Sequence, residues 1–442
     1  MIEWIEHFFH HTAESEPRAH LFGRTINANL NPDEHQLFNQ AVEAFRQGQT
    51  CKAFEYYFSS LENFNAGESN QNVNFHYENE NLRFELYQGS AIIRGLITDK
   101  VFQADCIITK TEALNVASKR HILERNNLLT YIRYYIHGDY LKCKLYLDNT
   151  TMTPQKIFYP LRELMLNADY EKEYLHYHFK QKKLEAAEHL MPVDEEELRI
   201  KYDAMQSWIT NCQNELKQLP SNDNINTVSF TILRLIFQID YLLVPHLNIM
   251  QELFEKINSF FTDDERLVEQ KNDELLRFIE KLQQLPYETF KQNFYRAKYT
   301  FSPLEHSTVA EVNQFIEASL EKFRWFKHHR YEHVAATISR YIALYVLYNY
   351  GVHPSYRALL HLLVETQNSD YFITLGYTPY YHEEDQSFEK KAIIKKIDAI
   401  IIPYQQKYSS LLPFGEALNY TTLEEFSHSF YRQLQTLDYT EL

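Results

Sequence analysis

Apolar and polar side chains alternate with a period of two between residues 73 and 109, and little else in the chain does so for as long. Val73, Phe75 and Tyr77 alternate with polar neighbours, Asn79-Glu80-Asn81 is a turn, and Leu82, Phe84 and Leu86 alternate again up to Gln88-Gly89. A hairpin with one buried face is what such a pattern predicts. Residues 91–98 and 101–109 continue as two more strands about Asp99-Lys100, 110–127 returns to a helical composition, and 130–136 with 140–147 form a last hairpin about His137-Gly138-Asp139. Ahead of the strands, Asn31-Pro32-Asp33-Glu34 is a helix start: a side-chain cap, a proline at the first helical position and two acids at the positive dipole end. It predicts a helix running to Gly48 with Leu37, Ala41, Val42, Ala44 and Phe45 on one stripe, and a second helix over 51–64.

From Thr153-Pro154 the period changes to 3.6, with Ile157, Leu161, Leu164 and Met165 on one side and Pro160 inside the pattern. Further helices are predicted over 171–190, 194–218, 227–260 with a kink at Pro245, 264–284, 288–299, 308–326, 330–350 and 354–367, and the tail from 387 to 439 is helical in composition. Glycine sharpens the division. Six of the nine glycines precede residue 140 and the next is Gly351, and an interval without glycine is poor ground for hairpins. The expected fold class is therefore α+β: an N-terminal antiparallel sheet with flanking helices, followed by a larger all-α region. The expected boundaries are an N-terminal segment 1–30, an α+β domain 31–170 and a helical domain 171–442 with a sub-boundary near 300 or 351. The similar helix ends at 215–220 and 280–286 are what any amphipathic helix stopped by proline looks like, and a non-repeating helical region is expected.

Composition narrows the function classes. The 442 residues are 44% hydrophobic and 24% charged, which excludes disorder as the main state. With 44 Lys and Arg against 60 Asp and Glu the formal charge is −16, and such a chain repels phosphate unless one face is locally basic. The densest basic runs, 180–183 and 327–330, are flanked by glutamate as on a solvated helix face, so no nucleic-acid partner is expected. The stretch from Val334 to Tyr350 contains Ser339, Arg340 and Asn349 and is too short to cross a bilayer, so no membrane partner is expected either. The first residues lack a basic region followed by an uninterrupted apolar run. Cys51, Cys106, Cys143 and Cys212 show no metal-site spacing. A cytoplasmic chain with reduced thiols is the expectation.

Common catalytic motifs are missing. There is no Gly-x-Gly-x-x-Gly, Gly-x-x-x-x-Gly-Lys or Gly-x-Ser-x-Gly, and phosphate cradles need closely spaced glycines. His329 and His333 stand one helical turn apart, but Arg330 occupies the place where a zincin carries its catalytic glutamate. A polar helix face is expected there rather than a metal. Glu425-Phe426-Ser427-His428 is a single Glu-x-x-His, an element that di-iron bundles use twice. His7, His10 and His11 lie near the terminus, where surface histidines are expected. No cofactor is expected, and glycosidase-type carboxylate pairs among the 60 acids would be chosen only by geometry.

Tyrosine is the remaining signal, 33 residues of it. Tyr341, Tyr345, Tyr348 and Tyr350 follow helical spacing and are expected in a core. Tyr131, Tyr134, Tyr135 and Tyr140 place phenols on both faces of the last hairpin, and exposed tyrosines are enriched at binding surfaces. A second candidate is the loop holding Tyr377, Tyr380 and Tyr381, next to the acidic run Glu383-Glu384-Asp385. The order of elements over 31–170 also resembles the small domain shared by type III secretion chaperones and the YbjN-type proteins. The resemblance is carried by Arg125-Asn126-Asn127-Leu128-Leu129 entering the hairpin, and by a closing helix that ends Leu166-Asn167-Ala168-Asp169. It covers about a third of the chain, and the helix at 51–64 and the long C-terminal region depart from the pattern. It implies binding of protein segments without catalytic residues. A non-enzymatic adaptor or chaperone with a protein partner is the expected function. The rivals are a helical-bundle enzyme, metal-assisted through His329 and His333, and a structural subunit of a larger assembly.

Overall fold

The computed structural model describes residues 22–23, 32–62, 71–181, 183–219, 225–329 and 332–441. Asn31, Lys182, Arg330, the histidines at 7, 10 and 11, and the side chain of His333 lie outside the described residues. Helices α1 (Pro32–Arg46) and α2 (Thr50–Ser59) precede β1 (Val73–Glu78), β2 (Asn81–Gln88), β3 (Ala91–Ile97) and β4 (Val101–Lys110). Helix α3 (Val116–Leu128), β5 (Arg133–His137), β6 (Tyr140–Asp148) and α4 (Pro154–His178) complete the unit. The strands form one sheet in the order β1-β2-β3-β4-β6-β5, antiparallel throughout. The α+β architecture is as the alternation predicts.

Register follows from burial. Leu82, Phe84, Leu86, Ile93, Ile97, Phe102, Ala104, Cys106, Leu141, Cys143 and Leu145 all point to one face, where they join Phe54 and Phe58 of α2 and Ile157, Leu161 and Leu164 of α4 in a single core. Each large side chain so buried contributes about 1.5–3 kcal/mol, and a one-residue slip would turn them all to solvent. Phe102 stacks on Phe54 at 5.4 Å and on Phe84 at 5.3 Å. Residue 95 must be glycine because a Cβ there would lie 2.3 Å from the Phe84 ring. Cys106 and Cys143, distant in sequence, face each other across β4 and β6 as buried free thiols.

Helix α4 runs unbroken through Pro160 to His178, so the expected boundary at 170 falls inside it, and Leu175 still belongs to the sheet's core. The helical region then comprises α5 (Glu195–Gln218), α6 (Ile225–Gln238), α7 (Leu247–Thr262), α8 (Val268–Gln283), α9 (Tyr287–Lys291), α10 (Val309–His328), α11 (Glu332–Asn349), α12 (Pro354–Gln367), α13 (Ser369–Thr374), α14 (Lys390–Ile401) and α15 (Leu423–Leu434). They surround a second core containing Phe237, Leu242, Ile279, Ile316, Ile342, Leu360 and Phe430. The helix expected over 227–260 is two, separated by a π turn at Ile239–Leu243 and a left-handed Val244 ahead of Pro245. Residues 179–181 and 183–190 are not helical, with Lys180 and Ala186 at positive φ. The helix expected over 288–299 stops after one turn, because the Asn293 amide donates to the carbonyls of Thr289 and Phe290. Tyr295-Arg296 then pairs with Met191-Pro192. In the tail, short 3-10 turns and irregular chain separate α14 from α15.

The stretch between α9 and α10 ties the two cores together. Phe301 is 3% exposed, lies within the sheet's core and meets Phe158 edge-on at 5.4 Å. The Gln88 side chain acts as a piece of backbone towards this strap, accepting from the N–H groups of Thr300 (3.1 Å) and Phe301 (2.9 Å) and donating to the Phe301 carbonyl (3.1 Å). Arg162 holds the next turn through the carbonyls of Ser302 and Pro303 and the Glu305 carboxylate.

Candidate functional site: the uncovered face of the sheet

Alternation that buries one face of the six strands leaves the other outward; among the described residues no helix packs there, and His189 and Lys298 cover only its Tyr87 corner. The register lines its polar groups up across the strands: Arg133 beside Lys144, Lys144 beside Asp105, Asp105 beside Arg94, Arg94 beside Glu85, and Glu85 beside Asn74. A parallel row runs Tyr146, Gln103, Leu96, Arg83 and His76. Between them lies a concavity of about 570 Å³ bordered by Asn74, His76, Arg83, Glu85, Arg94, Leu96, Gln103 and Asp105.

Pairing neutralises only part of this face. Arg94 meets Glu85 at 2.6 Å, Lys142 meets Asp105 at 3.4 Å, and Arg83 pairs with Glu78. Burial would raise the Glu85 carboxyl, but hydrogen bonds from Arg94 and Tyr87 hold it below the ordinary value. Lys144 has no ion-pair partner among the described residues, its Nζ lying 4.8 Å above the Tyr135 ring. Arg133 turns its guanidinium to the carbonyls of Leu129 and Ile132. The outward cations Arg83, Arg94, Lys110, Arg133, Lys142 and Lys144 outnumber the outward acids Glu78, Glu85, Asp105 and Asp148, with Lys110 also 3.9 Å from Glu112 beyond the end of β4. A face with local positive charge therefore stands on a chain of net charge −16. Its β6 column reads Tyr140, Lys142, Lys144, Tyr146, with Tyr146 64% exposed.

The hairpin tyrosines divide. Tyr131 is 47% exposed at the entry to β5, and Tyr135 and Tyr140 are half-buried on the outward face. Tyr134 is a core residue on the opposite face, with its hydroxyl donating to the Asn167 carbonyl at 3.1 Å, and presents nothing to a partner. Tyr146, which the hairpin's alternation also turns outward, carries more open surface than any of them. In the second candidate loop Tyr381 is buried against Phe388, and Tyr377 and Tyr380 lie half-buried on the helical core. These phenols fix the loop to the helices. Tyr341 is buried, with Tyr345, Tyr348 and Tyr350 packed on the same core.

The residues that carry the family resemblance close the β5 edge. The Asn126 amide accepts from the Tyr134 N–H (2.8 Å) and donates to its carbonyl (3.0 Å), as a neighbouring strand would. The Glu163 carboxylate takes the N–H groups of Thr130, Tyr131 and Ile132 at 2.7–3.1 Å. The first part of the β5 edge, with its donors at Ile132 and Tyr134 occupied, resists strand addition. Arg125 donates to Asn167, and Asp169 accepts from the Ser90 amide (2.7 Å) and hydroxyl (2.9 Å) to hold the turn after Gln88. The outward face is open to solvent where this stretch of the β5 edge is not.

The described histidine and carboxylate candidates make structural contacts. Helix α10 ends at His328, and His329 stacks on Trp325 at 4.1 Å with Nδ1 2.7 Å from the Trp325 carbonyl oxygen. The single helix face that would present His329 with His333 is thereby interrupted. Glu425 pairs with Lys327, and His428 stacks on Phe323 at 5.4 Å. Among the described residues no group of three or more His, Cys, Asp or Glu is placed to hold a metal ion, and no helix is long and apolar enough to cross a membrane. A buried ionisable cluster, missed in the sequence, sits where α4 meets the helical region. Glu173 accepts from the Tyr295 hydroxyl and from the Leu247 N–H (3.2 Å), while the His246 ring stacks on Tyr295 at 3.9 Å. Burial, with Asp169 one turn away, pushes the Glu173 carboxyl up, and burial pushes His246 down to about 3. Comparison with protein-family models and with curated proteins finds no match for the chain.

Proposed function

We propose that the chain is a non-enzymatic, chaperone-like adaptor that holds an acidic, extended segment of a partner protein on the outward face of its sheet. The observation that carries this reading is the concave, solvent-open face with its excess of cations on an otherwise acidic chain. A protein of net negative charge repels acidic partners everywhere except at such a patch, so the patch steers encounter and fixes orientation. Tyr146 and Tyr135 supply contact area at low entropic cost beside Lys144. The resemblance to type III secretion chaperones supports the same class of partner. Selection from a displayed peptide library of mixed charge tests it. Acidic extended sequences should be enriched, and the double change Lys142→Glu with Lys144→Glu should abolish that enrichment. A pool without charge bias, or one unaffected by the double change, would refute the reading.

A further inference from the structure

Phe22 and Gly23 are seated far from the sheet, in the helical region, between the π turn at Ile239–Leu243 and α12. The Phe22 ring is 8% exposed and lies 4.7 Å from the His361 imidazole, 4.8 Å from the Phe372 ring and 6.5 Å edge-on from Tyr241. The next residue is held by its backbone, the Gly23 N–H donating to the Tyr241 carbonyl at 2.6 Å. Gly23 has φ +66°, and a Cβ at this position would lie 2.3 Å from the Tyr241 ring. Both constraints exclude other residues, since a left-handed conformation and the absence of a side chain are each met readily by glycine alone. The seat therefore holds a ring in aromatic contact and demands glycine after it.

Its walls belong to the helical core but add ionisable groups to it. The Tyr241 hydroxyl and the His361 Nε2 share a hydrogen bond of 2.7 Å beside the Phe22 ring, and Glu365 stands one turn along α12 from His361. Burial drives the imidazole well down and the Glu365 carboxyl up to about 7. Apolar anchoring of one ring, a backbone hydrogen bond to the following residue and polar groups at the rim are the elements by which folded domains capture peptides. We propose that this seat is a recognition site for an aromatic-glycine dipeptide whose glycine is left-handed, and that the chain's own Phe22-Gly23 fills it in cis as an exchangeable ligand. The inference is independent of the sheet face, which lies on the other half of the molecule.

The test uses a labelled synthetic peptide with the sequence of residues 17–27, titrated by fluorescence anisotropy against the full chain and against the full chain carrying Phe22→Ser and Gly23→Ala. The double variant should bind one peptide at least tenfold more tightly than the wild type, whose seat is occupied. The same peptide carrying a valine in place of its glycine should not bind. Equal affinity of wild type and variant, or binding of the valine peptide, would overturn the proposal. Should the double variant fail to fold by circular dichroism, Gly23→Ala alone, which keeps the ring, replaces it. If that variant also fails to fold, Phe22-Gly23 is a fixed part of the core and the proposal is overturned.

Discussion

Phe301 is contributed by the helical part of the chain to the core of the sheet, and replacing it with alanine measures how firmly the two are joined. Its side chain is 3% exposed, so removing it loses about 2–3 kcal/mol of transfer free energy. The change vacates roughly 100 Å³, and if half of that stays open the cavity costs about 1 kcal/mol more. Phe301→Ala should therefore destabilise the sheet half by about 3–4 kcal/mol while leaving the helical core's own contacts intact. Tryptophan makes the two halves separable. Trp208 and Trp325 both lie in the helical region, so in a Trp4→Phe background, used for both proteins, fluorescence follows that region alone, whereas far-ultraviolet circular dichroism follows both. In urea the wild type should show coincident transitions by the two probes. In Phe301→Ala the dichroism should begin to fall well before the fluorescence. A loss below about 1 kcal/mol with the two probes still coincident would refute the view that this strap couples the halves.

Two further outcomes are expected. Because burial raises the Glu173 carboxyl, the folded chain keeps a proton that the unfolded chain has released. That contribution to stability is complete below the ordinary glutamate value of 4.5, and is lost as pH rises from there to the raised folded value. Glu173→Gln, which can still accept from Leu247 or Tyr295, should melt higher than the wild type in mildly alkaline buffer and show a shallower fall of melting temperature with pH; identical slopes would contradict it. Asn126→Leu strips the partners from the N–H and carbonyl of Tyr134. It should cost about 1–3 kcal/mol and promote self-association through the opened β5 edge, read by sedimentation velocity.

Period-two alternation made the four-strand meander and the last hairpin legible, because one buried face forces the pattern on every strand. The same alternation was enough to place Tyr134 inward and Tyr135 outward once the register was known. What it could not give was the crossing order, in which β6 rather than β5 lies beside β4 and brings Cys106 opposite Cys143. The division into halves was legible from glycine, whereas the boundary was not, since α4 belongs to both. Short helical breaks escaped for a local reason: Asn293 ends a helix with its side chain, and Lys180 and Ala186 adopt positive φ with no glycine to mark it. The Glu173 cluster joins residues 173, 246 and 295, which no spacing rule connects. Tyr146 could have been found, because its place between Leu145 and Leu147 already turns it away from the core.

The central claim is that the outward face of the sheet meets a protein partner. A photo-cross-linking amino acid placed at position 146, in the middle of that face, tests it most directly when the chain is expressed in its native host and irradiated. Ile402, 53% exposed on the helical region, serves as the control position. A discrete protein adduct from position 146, absent from position 402 and lost when Lys142 and Lys144 are changed to glutamate, is the predicted result. Adducts of equal yield from both positions, or none from position 146, would contradict the account.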